Sequence, residues 1–271
     1  MEVQNPPEAV LETRISISGR PLEDLALEAQ LFEEARPAIF CYSWPSPVLV
    51  LGYAQPVSDI DLDDCRARGI PVVRRRTGGT GVLHHRDLSL SLVLPAEHDW
   101  AGGIRTLYDH FLAALEKGLR EAGAVLERRR DPPPGGKKRS PICFEDQLAD
   151  TLLRDGRKVV GCAQLRKKTA VLIHAAISLK LDVENYAAIF RVSPERIRRG
   201  LDEALPGADP EELAGHLSRE LASALSMKMR GRPPLPAEEY HVARFRNRAP
   251  FLPEDREEES YDHAETSLGV E

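Results

Sequence analysis

Val72-Val73-Arg74-Arg75-Arg76-Thr77-Gly78-Gly79-Thr80-Gly81-Val82-Leu83-His84 runs from an apolar strand into a basic, glycine-rich loop and closes on a histidine. Gly78, Gly79 and Gly81 permit positive φ and let backbone come close to a ligand. Three consecutive arginines beside such a loop suit a negatively charged group, because successive backbone N–H donors form an anion-binding concavity. The stretch lacks the terminal Lys-Ser/Thr of a phosphate loop and the spacing of a dinucleotide fingerprint. A tight turn beside a surface basic cluster accounts for the composition equally well.

Upstream, Leu22, Leu25, Ala29 and Phe32 recur at helical spacing and predict an amphipathic helix. Ala38–Ser43 and Val48–Leu51 read as strands joined through Trp44-Pro45-Ser46-Pro47, and Ser58 is a candidate cap for a short helix over residues 59–68. Downstream, Leu88, Leu90, Leu92 and Leu94 alternate with Ser89, Ser91 and Val93, as in a half-buried strand. Residues 104–122 carry Ile104, Leu107, Tyr108, Phe111, Leu112, Leu115 and Leu119 on one helical stripe. Asp155-Gly156 between two short runs is a hairpin signal, which places Lys158 on a strand beside a rigid turn. Residues 170–181 continue as strand with a break near Ala175-Ala176. Ser193-Pro194-Glu195 and Asp209-Pro210-Glu211 read as capped helix starts with proline at the first position. The whole predicts an α+β domain with a mixed, largely antiparallel sheet flanked by helices.

A chain of 271 residues with 42% hydrophobic content supports one large domain. No apolar run is long enough to span a bilayer. No basic-then-apolar leader opens the sequence, so a cytoplasmic location is expected. Cys41, Cys65, Cys143 and Cys162 are too widely spaced for a disulfide framework or a zinc site. Residues 254–271 hold eight acidic side chains against Arg256, a local charge of −7, so residues 1–253 sum to +1 against the overall −6. Such a tail is expected to be disordered. Arg128-Arg129-Arg130 and Lys137-Lys138-Arg139 flank a Pro/Gly-rich loop, but no aromatic platform or recognition helix accompanies them, which argues against nucleic acid.

The signature stretch Arg74–Gly79 with Val82-Leu83-His84 resembles that of the lipoate/octanoate transferase and ligase family, relatives of biotin–protein ligase. Asp24-Leu25-Ala26-Leu27-Glu28-Ala29, Tyr42-Ser43-Trp44 and Val48-Leu49-Val50-Leu51-Gly52-Tyr53-Ala54-Gln55 resemble the family's first helix and the strand pair behind its pocket. Gly156-Arg157-Lys158-Val159-Val160-Gly161-Cys162-Ala163-Gln164 resembles the motif that carries its lysine. The resemblance implies a biotin/lipoate protein ligase (class II synthetase-like) catalytic domain over residues 21–250, an N-terminal extension over 1–20 and the acidic tail over 251–271. It further implies that the loop residues Arg75, Thr77, Gly78, Gly79, Thr80 and Gly81 close over the acyl chain. Val82, Leu83, His84, Gly161 and Ala163 complete the implied substrate site.

Two residues are implied to be catalytic. Lysine beside a hairpin is ordinarily solvated, but the residue matching Lys158 points into the family's pocket and bonds the acyl carbonyl. A fixed ammonium there stabilises charge developing on oxygen. Free cysteines are mostly inert core residues, and Cys41 and Cys65 fit that description. Pro141-Ile142-Cys143-Phe144 instead resembles the octanoyltransferase branch, where this cysteine holds the acyl group as a thioester. A neighbouring cation favours the nucleophilic thiolate, and the acyl-cysteine divides one difficult transfer into two easier ones. Cys162 is a rival nucleophile more simply read as packing, and His84 more simply shapes the pocket than carries protons. One departure stands out: Gln-His-Gly-Ser-Ile of related transferases is Ile173-His174-Ala175-Ala176-Ile177 here.

The implied activity is octanoyl transfer in protein lipoylation. The donor is octanoyl acyl carrier protein or an acylated lipoyl-domain protein, and the acceptor is a lysine of a lipoyl domain. No cofactor, metal, nucleic acid or membrane is required. An ATP-dependent lipoate ligase could use the same pocket, with Arg75 and residues 80–83 holding phosphate and adenine and with ATP and Mg as requirements. Against it, the region after Pro236 is short for the accessory domain of that branch. A non-catalytic module binding acyl groups or lipoyl domains is the third reading, since fold alone does not guarantee chemistry.

Overall fold

The computed structural model describes residues 10–17, 19–131, 140–145, 151–233 and 238–253. The acidic residues 254–271 and the Lys137–Arg139 cluster, read above as a disordered tail and a basic loop, lie outside them. In chain order the first elements are β1 (Val10–Ser16), α1 (Pro21–Glu33), β2 (Ala38–Ser43), β3 (Val48–Leu51), α2 (Leu62–Ala67), β4 (Val72–Arg74), β5 (Val82–His84) and β6 (Leu88–Pro95). Then come α3 (Ile104–Glu121), β7 (Glu127–Arg129), β8 (Thr151–Arg154), β9 (Arg157–Lys158), β10 (Val160–Arg166) and β11 (Ala170–Ile177). The last are α4 (Val183–Ile189), α5 (Pro194–Gly200), α6 (Pro210–Ala224), β12 (Lys228–Gly231) and α7 (Glu239–Arg246).

The main sheet has the order β10-β11-β6-β2-β1-β12. Its β10, β11, β6 and β2 pair antiparallel, whereas β1 runs parallel to both β2 and β12. Mixed pairing with helices on both faces gives the expected α+β layering. On one face Ile39, Cys41, Leu90, Leu92 and Ile173 pack with α3 and α6. On the other, Phe40, Tyr42, Val93 and Leu172 pack under α1. β6 is therefore buried on both faces rather than half-buried: Ser89 and Ser91 face a second layer, not water.

Three further expectations are corrected. Val10–Ser16, placed in an N-terminal extension, is a strand inside the main sheet, because β12 returns to cover its second edge. The β11 ladder continues without interruption through Ala175 and Ala176, each paired on both sides. Asp61, not Ser58, caps the short helix, its carboxylate accepting from Asp64 N at 3.0 Å. Other local readings hold. Ser193 and Asp209 cap α5 and α6 with proline at the first position. Asp155 and Gly156 both take positive φ, +49° and +74°, between β8 and β9, as a tight hairpin turn requires. Among the described residues no helix is long and apolar enough to cross a membrane.

Asp24 gives the fold a pH-dependent weakness. It is buried in the first turns of α1, its Oδ2 without a hydrogen-bond partner among the described residues. Burial pushes its carboxyl from 3.8 up to about 7, against the opposing hydrogen bond from Ser16. A raised folded-state pKa means that the folded protein holds the extra proton, so stability falls as pH rises from about 4 to about 7. Asp24→Asn is expected to stabilise by on the order of 2 kcal/mol at pH 8 and by nothing near pH 4. Thermal melts at the two pH values check this; equal gains at both would contradict it.

Candidate active site

The glycine-rich loop leaves β4 and returns through β5, and both strands pair with β3. Arg75 is buried and its guanidinium shapes the loop from inside. Nε donates to Thr77 Oγ1 at 3.0 Å, Nη1 to Val50 O at 3.2 Å, and Nη2 to Gly78 O at 2.8 Å and Thr80 O at 3.0 Å. Arg74 donates to the carbonyls of Gly52 and Gln55. Arg76 pairs with Glu33 and lies over the Phe32 ring. The arginine run is thus no anion cluster: each guanidinium is directed to a different part of the protein. Gly79 alone among the three loop glycines has positive φ, +95°. Its carbonyl sits where a Cβ on Gly52 would come within 2.0 Å, so the loop rests directly on the backbone after β3. Gly81 is needed for space, since a Cβ there would meet Phe190 at 2.9 Å, whereas Gly78 has open space around it.

Cys143 is held against this loop. Gly81 N donates to Pro141 O at 3.0 Å and Cys143 N donates to Gly81 O at 2.9 Å, a two-bond clamp. Ile142 and Phe144 are buried on either side, which leaves Cys143 half-buried between two anchors. Lys158 on β9 is buried, and its Nζ donates to the Cys143 carbonyl at 2.8 Å while lying 5.8 Å from the Phe144 ring centroid. The ammonium therefore engages the backbone of the cysteine. Gly161 leaves room for this packing: a Cβ there would meet Phe144 at 3.1 Å and Cys143 Sγ at 3.5 Å. Gly161→Val overfills that contact and is expected to destabilise by about 1–3 kcal/mol. A chain of this size then melts several degrees lower. Unchanged melting would show that the contact can relax.

The other thiols differ. Burial pushes Cys41 up to about 12 and Cys65 up to about 11. Cys162 is half-buried and lines the same pocket as Cys143; burial pushes it up to about 12, although the Lys158 charge opposes the rise.

Cys143 lines a narrow, partly open pocket. Leu25, Tyr42, Trp44, Val50 and Ala176 supply an apolar wall. Of the residues read as substrate-binding, Arg75, Val82, His84, Gly161 and Ala163 line it together with Cys143. Thr77, Gly78, Gly79, Thr80, Gly81, Leu83 and Lys158 are not among its lining residues. Leu83, for one, donates its N–H to Tyr186 Oη at 3.0 Å and borders a neighbouring cleft.

A buried polar network at the pocket was not read from the sequence. Thr77 Oγ1 lies 3.0 Å from His174 Nε2, and His174 Nδ1 lies 3.2 Å from both oxygens of Glu28. Glu28 also accepts from Ser91 and, at 3.3 Å, from Tyr42. Burial raises the Glu28 carboxyl, but the His174 charge and the bonds from His174, Ser91 and Tyr42 outweigh it and hold the group below its ordinary range. The serines of the β6 alternation and the histidine of the β11 motif were the available signals.

Residues 20–226 match the family described as "Lipoyl protein ligase A/B catalytic domain". The chain is 34% identical over 200 residues to an Octanoyltransferase LipM of Moorella thermoacetica, covering 71% of this chain and 72% of that protein. It is 30% identical to the Octanoyltransferase LipM of Staphylococcus aureus, covering 69% and 72%. A lipoate-protein ligase A bound with ATP shares the fold with a TM-score of 0.68 at 20% identity, over 88% of this chain and 93% of that one. A bi-partite lipoate protein ligase from Thermoplasma acidophilum does so with 0.67 at 21%, over 86% and 91%.

Proposed function

Because this chain belongs to the lipoyl protein ligase A/B catalytic family and transfers octanoyl groups in protein lipoylation, we propose that it works through a thioester on Cys143. Its substrates are an acyl donor and a lipoyl-domain acceptor. The observation that carries the proposal is a half-buried thiol clamped to the glycine-rich loop and opening on an apolar pocket. In the first half-reaction Cys143 sulfur attacks the octanoyl thioester of an acyl carrier protein and releases the carrier thiol. In the second, the ε-amine of a lipoyl-domain lysine attacks the new thioester and leaves as the amide. Apolar walls favour the eight-carbon chain through burial. Lys158, fixed on the Cys143 carbonyl, holds a positive charge beside the reacting centre, where negative charge develops. Substrate contacts fall to Val82, His84, Gly161 and Ala163, while the rest of the loop, Arg75 included, sets their positions.

A thioester is already activated, so this route requires neither ATP nor a metal, and it suits a reducing cytoplasm in which the thiol stays free. Nucleic acid and membrane have no part in it. For the ligase chemistry, Arg75 would have to release four protein acceptors to hold a phosphate. The decisive assay supplies octanoyl carrier protein and apo lipoyl domain without nucleotide. Acylated domain is expected; acylation only with ATP and the free acid would establish the ligase, and carrier binding without transfer a non-catalytic module.

A further inference from the structure

The pocket contains two imidazoles, and their surroundings divide them. Both ring nitrogens of His174 are engaged, one by Thr77 and one by Glu28. His84 differs. Its Nδ1 lies 2.7 Å from Asp87 Oδ2, both side chains are buried, and its Nε2 makes no hydrogen bond among the described residues. The turn between them runs through Arg86 at φ +53°, which folds Asp87 back onto the ring that closes β5. Trp44 stacks on that ring with centroids 4.1 Å apart and planes 15° from parallel, and Trp44 is itself fixed by donating Nε1–H to Ser89 at 2.9 Å. Asp87 Oδ1 has no hydrogen-bond partner, so among the described residues this carboxylate is directed at His84 alone. An imidazole fixed at Nδ1 by a carboxylate has a set tautomer and presents Nε2 as a proton acceptor.

The two half-reactions differ in their need for such a group. A thiolate attacks without losing a proton, but an amine that attacks a carbonyl must lose one before the amide is complete. Lysine amines are protonated near pH 7, with an ordinary pKa of about 10.4. At that stage Cys143 carries the acyl group, and the Lys158 ammonium is a donor to its carbonyl. We propose that His84, oriented by Asp87, is the general base for transfer from Cys143 to the acceptor lysine, a step that rests on the Cys143 thioester reading. His84 Nε2 takes one proton from the acceptor ammonium, Asp87 stabilises the imidazolium, and the neutral amine so formed adds to the thioester carbon with formation of the C–N bond. The tetrahedral species then collapses with cleavage of the C–S bond, and the second nitrogen proton passes to the leaving Cys143 thiolate. The imidazolium releases its proton to solvent, so that ammonium and thioester become amide, thiol and one proton, and the base is restored.

Hydroxylamine separates this role from a structural one, because it is an uncharged nucleophile at neutral pH. The parent, His84→Gln and Asp87→Asn are each loaded with octanoyl carrier protein, and discharge of the isolated acyl-enzymes is followed by intact mass. His84→Gln is expected to slow discharge to the lipoyl-domain lysine by about 10²–10⁴-fold and to leave discharge to hydroxylamine near the parental rate. Asp87→Asn, which preserves shape, is expected to show the same selectivity with a smaller loss. Parental discharge to lysine in His84→Gln overturns the proposal. So does an equal loss with both nucleophiles, or a failure of both variants to load, either of which makes the pair a support for the pocket. Absence of an acyl-enzyme in the parent instead removes the Cys143 reading, and this step with it.

Discussion

Cys143→Ala is expected to abolish the octanoyl-enzyme and to lower transfer to a lipoyl domain by about 10⁴-fold or more, as removal of a covalent nucleophile does. The other thiols are poorer nucleophiles, although Cys162 also lines the pocket. Cys41 and Cys162 are pushed up to about 12, which leaves roughly one thiolate in 10⁵ molecules at pH 7. Cys65 packs in the core beneath the loop strands, away from the pocket lining. The fold tolerates the change, since Cys143 is half-buried and the clamp to Gly81 is made by backbone atoms. Cys143→Ser tests the same point with the shape retained, and an oxyester accumulating slowly at that position would agree. Intact mass after incubation with octanoyl carrier protein reads both variants. A thioester that persists in Cys143→Ala would assign the chemistry elsewhere.

Lys158→Met is expected to carry the second largest effect, a fall of about 10²–10³-fold in acyl transfer, of the order seen when one oxyanion donor is removed. The methionine keeps the length of the side chain and removes the charge. Loss of the donor to the Cys143 carbonyl is expected to cost about 1–3 kcal/mol of stability, far less than is needed to unfold the chain. Activity and stability then separate, and the loss reads as chemistry. Lys158→Arg is not expected to rescue, because a planar guanidinium does not fit the space of an ammonium that reaches the Cys143 carbonyl at 2.8 Å past the Phe144 ring. Full turnover in Lys158→Met would reduce this residue to a strut for the Cys143 turn.

Several features were legible because they are local. The Asp155-Gly156 turn, the capped starts at Ser193 and Asp209, and the leucine stripe of α3 follow from dihedral preference and helical period within a few residues. The misread features share a different origin. Ser89 and Ser91 alternate with leucines as a solvent-facing row would, yet they meet Trp44 and Glu28, because β6 lies between β2 and β11 with layers on both faces. Val10–Ser16 looked peripheral since its partners lie at residues 38–42 and 228–231. Arg74, Arg75 and Arg76 looked like an anion cluster, but adjacent side chains on an extended backbone point in different directions.

By itself the sequence determined most of the central strands and helices, the glycine-rich loop, and the resemblance of the Cys143 and Lys158 segments to the family's motifs. All of these depend on neighbours along the chain. Tertiary structure alone decided that Glu28 meets His174 across 146 residues, that Lys158 bonds the carbonyl of Cys143 rather than being seen only as a nearby charge, and that, among the described residues, pocket-lining His84 is engaged at one ring nitrogen and His174 at both. The reason is that strand register and layer packing set which side chains converge, and these are properties of contacts between distant segments, which no local pattern encodes.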